Sequence, residues 1–411
     1  MCGQFSALSP KTWCFSLDLL PQPIFLVGGA VRDALLGRSA DYLDLDFVLP
    51  QNAIETARAI ARQYNAGFVI LDAQRQIARV VFAQATVDFA CQEGSSLETD
   101  LRRRDFTVNA IAFNPHAQKI IDPLQGCIDL QQRRLRMISQ QNLQDDPLRL
   151  LRAYRQAAQL GFIIDSATHA AIRSLAPYIT RVAPERVRVE LGYLLAHAVG
   201  SSWLKLADQD GLLKSWFPDA NTEDVAAVDT AIAKLSHIWS QLEGELSQYV
   251  RDTTKMSWLG IAKLACLTTP NPADAEAELI ALTYSRAEIR SVITTLKLLP
   301  QLLLAQMSVQ EQYFFFQEAG KVFPTIAVLA VAKGTAIDAI APLIDRYLDP
   351  NDPVAHPTPL VTGKDLIQAL KLKPSPQIGK LLTAIAIAQV EGQVTTADQA
   401  LQFAADLLDK T

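Results

Sequence analysis

Two carboxylates one residue apart, Asp44 and Asp46, sit in the stretch LVGGAVRDALLGRSADYLDLDFVLP, residues 26–50. Side chains alternate faces along a strand, so both carboxylates point the same way. Adjacent carboxylates repel unless a cation neutralises them, and oxygen-ligated Mg²⁺ bridging the phosphates of a nucleotide is the natural partner. Upstream, Gly28 and Gly29 close a strand and open a helix, where backbone N–H groups can face an anion, and Arg32 one turn further adds a charge-assisted contact. Taken singly, each feature has a structural reading: a solvated acidic loop, or tight strand-to-helix packing. Together, at a spacing of fifteen residues from Gly29 to Asp44, they favour metal-assisted phosphoryl or nucleotidyl transfer.

Two further clusters extend this chemistry. In DLRRRDFTVNAIAFN, Arg104 suits a triphosphate while Asp105 and Asn109 can exchange hydrogen bonds with ribose hydroxyls; a salt-bridged helix cap is the structural alternative. In DDPLRLLRAYRQ, Asp146, Arg149, Arg152 and Arg155 recur every three residues on a helix predicted to start at Asp145, Asp146 and Pro147. Asp146 and Arg149 then offer an acceptor beside donors to one flat ligand. Cytosine and adenine present an amino donor next to a ring-nitrogen acceptor, which that pair matches. Uracil and guanine present the opposite order and leave buried groups unpaired, at roughly 1 to 3 kcal/mol each. Arg152 and Arg155 remain for phosphates. A solvated basic face, packed on its other side through Leu148 and Leu151, is the competing explanation.

These residues need a scaffold. The apolar runs IFLV, DLDFVL, GFVIL, ARVVFA, TVDFA and AIAFN, rich in Val, Ile and Phe, predict strands within the first 115 residues, with NAIETARAIARQYNA as a helix among them. An α/β domain over about residues 20 to 128 follows. Beyond it the periodicity is helical throughout, and the proline-rich breaks at 268–278 and 349–359 interrupt it, the second reading as a hinge before a small terminal domain. A chain of 411 residues, 49% hydrophobic, has core enough for several domains. No run of about eighteen apolar residues stands out as a membrane helix and the N-terminus lacks a signal layout, so a cytoplasmic protein is expected. Cysteines at 2, 14, 91, 127 and 266 have neither zinc-type nor disulfide-framework spacing. The net charge of -5 hides an asymmetry: residues 101–200 carry fourteen Lys/Arg against eight Asp/Glu, a basic island for an anionic ligand on an acidic body.

The motifs LVGGAVRD…DLD, RRDFTVNAIA, DDPLRLLRAYR and ERVRVEL, in this order and spacing over about residues 24 to 195, resemble those of the class II tRNA nucleotidyltransferases, the group of CCA-adding enzymes and bacterial poly(A) polymerases. LVTGKDLIQALKLKPSPQIGKLL is similar to the tail segment of that family, with Ser375 where a glycine is common. The resemblance implies an α+β protein: a polymerase β-like α/β head at 24–128 after an N-terminal extension at 1–23, then an all-α neck at 129–200, a body at 201–348 and a hinge with tail at 349–411. It implies that Asp44 and Asp46 hold catalytic Mg²⁺ and that Gly28, Gly29 and Arg32 contact the nucleotide. Arg104, Asp105 and Asn109 would meet its phosphate and ribose. Asp146 and Arg149 would form an amino-acid template for the base, with Arg152 and Arg155 beside them. Arg186, Lys364 and Lys380 would bind the partner tRNA, whose 3′-hydroxyl attacks the α-phosphate of CTP or ATP and releases pyrophosphate. Two residues depart from the pattern without removing a ligand: Asp145 stands for the usual Glu, and Gln156 for the usual Phe.

A larger departure bears on specificity. Between ATVDFA and SLETDLRRRDF only CQEGS remains, where CCA-adding and A-adding members carry a longer flexible loop. In the family, loss of that loop accompanies enzymes that add only the two cytidines and leave the adenosine to a separate A-adding enzyme. A movable loop can lever one pocket between pyrimidine and purine; without it CTP is favoured. A complete CCA-adding enzyme, a poly(A) polymerase and a catalytically idle RNA-binding protein remain as alternatives. An appended phosphohydrolase module would need a His-Asp dipeptide, and none of the five histidines is followed by Asp.

Overall fold

The computed structural model describes residues 6–38, 41–197, 199–251, 256–304 and 307–409. Cys2, the first five residues of the N-terminal extension and the last two of the tail lie outside the described residues. The chain forms two compact units, Met1–Arg186 with Gln209–Leu212, and Val187–Asp208 with Leu213–Thr411.

The first unit contains every predicted strand. β1 (Phe25–Val27), β2 (Leu43–Leu49), β3 (Gly67–Asp72), β4 (Ile77–Val81), β5 (Ala85–Cys91), β6 (Ala112–Asn114) and β7 (Lys119–Ile121) form one sheet in the order β3-β4-β5-β2-β1-β6-β7. Within this sheet, among the described residues, only β2 and β5 pair in parallel. Alternation along β2 explains its central place. Leu45, Phe47 and Leu49 are fully buried on one face, where Phe47 stacks on Phe89 at 5.4 Å and meets Trp13 edge-on at 5.2 Å. Asp44, Asp46 and Val48 take the other face, and Val48 joins a small core with Val27, Leu101, Ala110 and Ala112. The sheet is thus sealed at one end of that face and open at the aspartates.

Helices α1 (Gly29–Leu35) and α2 (Ala53–Gln63) flank the sheet, α2 burying Ile54, Ala57 and Ile60 as its 3.6-residue period requires. α3 (Leu97–Arg102) follows β5 after five residues. Next come α4 (Gly126–Gln131), β8 (Arg134–Leu135), α5 (Gln140–Asp145), α6 (Leu148–Leu160), β9 (Ile163–Ile164), parallel to β8, and α7 (Ser166–Leu175). α6 buries Leu148, Leu151, Tyr154 and Ala158 and ends at Gly161, whose φ of 69° is the left-handed C-terminal stop glycine supplies. The helix start expected at Asp145 is corrected: Ser139 caps the short α5, so Asp145 ends that helix and Asp146 lies in the corner before α6.

The second unit, among its described residues, is helical: α8 (Pro184–Ala196), α9 (Gly200–Gln209), α10 (Thr222–Ile238), α11 (Ser240–Ser247), α12 (Trp258–Leu267), α13 (Pro272–Ala281), α14 (Arg286–Leu304), α15 (Val309–Ala319), α16 (Phe323–Ala332) and α17 (Ile337–Leu348). α16 is buried along nearly its whole length, and α10, α12 and α14 pack on it. The stretch Val309–Ala332 is long and apolar enough to cross a membrane by mean hydropathy, although it holds no run of eighteen consecutive apolar residues. Two-thirds of that window is buried, and Gly320 (φ 48°) breaks it into α15 and α16, the layout of core helices. The break at 268–278 becomes the capped start of α13, where Asn271 accepts from the Ala273 and Asp274 amides. At 349–359, Asp352 accepts from the Val354 and Ala355 amides and from Arg346, so the proline-rich segment is pinned.

Helices α18 (Gly363–Leu370), α19 (Pro376–Val390) and α20 (Ala397–Asp409) enclose a core of their own from Leu366, Ile378, Leu381, Ile385 and Ala404. Ser375 is extended (φ -159°), a conformation any residue adopts, so its replacement of glycine costs nothing.

Candidate active site

Asp44 and Asp46 line a cavity of about 270 Å³ together with Gly29, Arg32, Asp33 and Arg38. Gly28 makes the turn above them with φ 76° and ψ -143°, a region for glycine alone, and a Cβ there would lie 3.4 Å from Asp46 Oδ2 and 3.5 Å from an Arg104 nitrogen. The turn, the metal-type carboxylate and the phosphate-type arginine therefore meet at one point. Thr86 donates to Asp44 Oδ1 at 2.6 Å.

Sequence reasoning missed a third carboxylate. Parallel pairing sets Asp88 of β5 opposite Asp46 of β2, and Arg79 of β4 clasps Asp88 with two bonds of 2.7 Å. The signal was present, since Thr86 and Asp88 alternate in TVDFA as Asp44 and Asp46 do in DLDFVL, but strand pairing was needed to align them. Burial, then the charges of Asp44 and Asp88, push the Asp46 carboxyl up to about 7 against the opposing pull of Arg104 and Arg79. A carboxylate held so reluctantly in its charged form is a site in want of a cation. Among the described residues no cluster of three or more His, Cys, Asp or Glu side chains is arranged to hold a metal. Two aspartates completed by phosphate and water oxygens is how Mg²⁺ is usually held. A metal ligated by Asp46 would compete with protons for it. Titration of Mg²⁺ or Mn²⁺ into the protein by calorimetry should show affinity falling about tenfold per pH unit below pH 7 and levelling above it; a flat profile from pH 5.5 to 8.5 would refute the assignment.

Around this centre the arginines are already engaged. Arg32 is paired with Asp33 at 2.8 Å and donates to Asn109 Oδ1 at 2.7 Å. Asn109, only 7% exposed, spends both amide hydrogens on Asp105 (2.9 Å) and Gln156 (3.0 Å). Its expected ribose contact is corrected accordingly: Asn109 is an internal brace tying α1 to α6, saturated as a donor. Gln156 keeps a polar partner for it where a Phe would have left one of those hydrogens bare. Asp105 accepts from the Phe106 amide and the Asn109 side chain, and Arg152 lies 3.6 Å from its second oxygen. Arg155 donates to Gln159 at 2.8 Å, so Arg152 and Arg155 each have a partner within the protein. Arg104 pairs with fully buried Asp100 at 3.0 Å, while its Nε is buried with no hydrogen-bond partner.

At the corner before α6, Asp146 and Arg149 meet at 3.9 Å. Arg186 reaches Asp146 with bonds of 3.2 and 3.0 Å, and its side chain remains half-exposed. Arg149 is anchored by carbonyls: Nη1 donates to Arg103 O (2.9 Å) and Asn142 O (3.0 Å). Burial pulls its guanidinium below the usual range, Arg152 and Arg103 add to that, and Asp105 with Asp146 oppose it. Lys364 and Lys380, in the second unit, are exposed on α18 and α19.

Comparison with known proteins identifies the family. Residues 24–136 match the poly A polymerase head domain, 161–223 a probable RNA- and SrmB-binding site of polymerase A, and 253–405 a putative second domain of tRNA nucleotidyltransferases. A CC-adding tRNA nucleotidyltransferase of Synechocystis sp. is 52% identical over 400 residues, 96% of this chain and 95% of that protein. The chain belongs to the tRNA nucleotidyltransferase family. Within that family an A-adding tRNA nucleotidyltransferase of Deinococcus radiodurans is 31% identical, covering 94% of this chain and 96% of its own. The nucleotidyltransferase fold is shared with a CCA-adding enzyme solved with CTP, at a TM-score of 0.73 and 23% identity over 94% of this chain and 91% of that one.

Proposed function

We propose that the chain adds two cytidylates from CTP to a tRNA 3′ end lacking CCA and then stops, leaving the adenosine to a separate A-adding enzyme. The observation that carries this reading is the connection between β5 and α3. It has five residues, 92–96, and is tightly held: Gln92 N donates to Leu49 O, Glu93 N to Asp100, and Glu93 pairs with Arg103 at 2.7 Å. Gly94 has φ +87°, and a Cβ on it would sit 2.4 Å from Thr99 Cγ2. A segment so confined cannot swing to reset a base pocket for a purine. Likeness to both the Synechocystis CC-adding and the Deinococcus A-adding proteins spans the whole chain, so the choice of nucleotide rests on this local feature. The higher identity to the former agrees with it.

In this reading Asp44 and Asp46 would hold Mg²⁺, which would supply Lewis-acid stabilisation of the phosphates and lower the cost of ionising the tRNA hydroxyl. Arg104, with its unpartnered Nε, and Arg32 receive the triphosphate beside the Gly28 turn. Asp146 and Arg149 hold the amino and ring-nitrogen edge of cytosine, and Arg186 keeps Asp146 oriented as the acceptor. The oxygen–phosphorus bond forms in line as pyrophosphate leaves. The head at 24–128, neck at 129–200, body at 201–348 and tail at 349–411 would share the work, the first two assembling the nucleotide site and the tail offering Lys364 and Lys380 to tRNA phosphates.

Extension of a tRNA lacking CCA, resolved to single nucleotides with Mg²⁺, CTP and ATP together, tests this. Arrest after two cytidines in excess ATP is expected. A terminal adenosine would establish the complete CCA-adding alternative, adenylation of unstructured RNA a poly(A) polymerase, and absence of any incorporation the idle RNA-binding protein.

A further inference from the structure

We infer that Asn142 is a positioning residue for base selection, acting by clamping the end of α3 to the arginine that reads the base; the inference rests on the cytidine-adding reading. Asn142 touches neither nucleotide nor metal in that reading, and no motif singles it out. Its geometry does. The side-chain Nδ2 donates to Arg102 O and Arg104 O, both at 2.7 Å, while its own backbone carbonyl accepts from Arg149 Nη1 at 3.0 Å. Arg149 Nη1 takes the carbonyl between those two, Arg103 O, at 2.9 Å. Three successive carbonyls at the end of α3, which a helix leaves without intrahelical partners, are thus collected by Asn142 and Arg149 alone.

The amide has one workable orientation. Ser139 Oγ donates to Asn142 Oδ1 at 2.8 Å and accepts from the Asn142 amide at 3.1 Å, so the oxygen is committed to the α5 cap and both hydrogens face the carbonyls. At its other end α3 is fixed by the short connection, through the Ser96 cap and through Asp100, which holds Glu93 N, Arg103 and Arg104. α3 is therefore a strut between residues 92–96 and Arg149, and Asn142 is its fastening at the Arg149 end. Without the Asn142 side chain, Arg149 keeps its charge and its bond to the main-chain carbonyl of residue 142, but the carbonyls flanking Arg103 O are no longer tied to α5, so the fixed direction in which Arg149 presents donors beside Asp146 is lost. A uracil edge is then no longer penalised as strongly against cytosine.

The test compares Asn142→Ala, Asn142→Asp and Leu143→Ala with the parent protein. Leu143 is fully buried on the same short helix, so its truncation reports plain destabilisation of α5. Equilibrium binding of CTP and of UTP, in Mg²⁺ and well below each variant's Tm, reads base preference whether or not transfer occurs. Incorporation into tRNA is measured alongside. Asn142→Ala should lower the CTP-to-UTP preference about tenfold. Asn142→Asp, which sets a carboxylate against two carbonyl oxygens, should lower it further, and Leu143→Ala should lower Tm with the preference unchanged. An unaltered preference in folded Asn142→Ala, or an equal loss in Leu143→Ala, overturns the inference. A parent protein that binds CTP selectively but adds nothing to tRNA would instead refute the proposed function and leave the clamp standing.

Discussion

Asp46→Asn should abolish nucleotidyl transfer and make the metal-free protein more stable. The loss in kcat is expected to be on the order of a thousandfold or more, because a metal's electrostatic stabilisation is worth several kcal/mol and about 1.4 kcal/mol is a factor of ten. The gain in stability has a different origin. Asp46 titrates at about 7 in the folded chain against 3.8 for an ordinary Asp, so folding is disfavoured wherever the free carboxyl would ionise and the folded one resists. That penalty is absent below pH 3.8, grows between there and pH 7, and is constant above. A neutral Asn escapes it, so the variant's advantage should be missing at pH 3.5 and reach roughly 1–3 kcal/mol at pH 8, once solvent screening is allowed for. Thermal melts of both proteins in chelator across that range check the sign, and a destabilised variant at pH 8 would mean that Asp46 is not strained by its neighbours.

The second large effect is expected from a substitution that keeps the charge. Arg149→Lys should reduce kcat/KM for CTP about a hundredfold with little change in Tm. The guanidinium spends one nitrogen on two carbonyls, Arg103 O and Asn142 O, and has others left for a base edge. A lysine ammonium is a single point with three donors and cannot hold both carbonyls while presenting a flat fork to cytosine. Discrimination against UTP should fall with it, since the acceptor at Asp146 stays while the matching donor is lost. Steady-state kinetics with each nucleotide would show this; a parallel fall for CTP and UTP would assign Arg149 to phosphate or to the fold.

How far the sequence already carried these residues depends on the range of the interaction that places them. Gly28, Asp44 and Asp46 were legible because strand alternation and a positive φ are local properties. The helical remainder was legible because its apolar period persists over hundreds of residues. Asp88 was hidden because only the β2–β5 register aligns it with Asp46. Asn142 and Asp100 were hidden because their partners are main-chain carbonyls, amides and arginines gathered by folding. The neck arginines were read as open ligands because a sequence shows donors without acceptors. Asp105, Gln159 and the carbonyls of Arg103 and Asn142 supply those acceptors. Asp146 was placed on a helix because Asp-Pro usually starts one; here the preceding turn was already helical, which pushed it into a corner and within reach of Arg186.

The Asn109 brace has a consequence for anyone who would redesign this protein. One amide joins the arginine of the glycine turn to the helix that carries Arg149, through Arg32 on one side and Gln156 on the other. Under the proposed function, turnover and nucleotide choice are therefore expected to change together. Libraries that vary the base pocket will return slower catalysts even when no metal ligand is touched, unless the pair Asn109 and Gln156 is allowed to vary with it. Directed evolution here has to move two traits along one diagonal, and the first useful double change lies at those two positions.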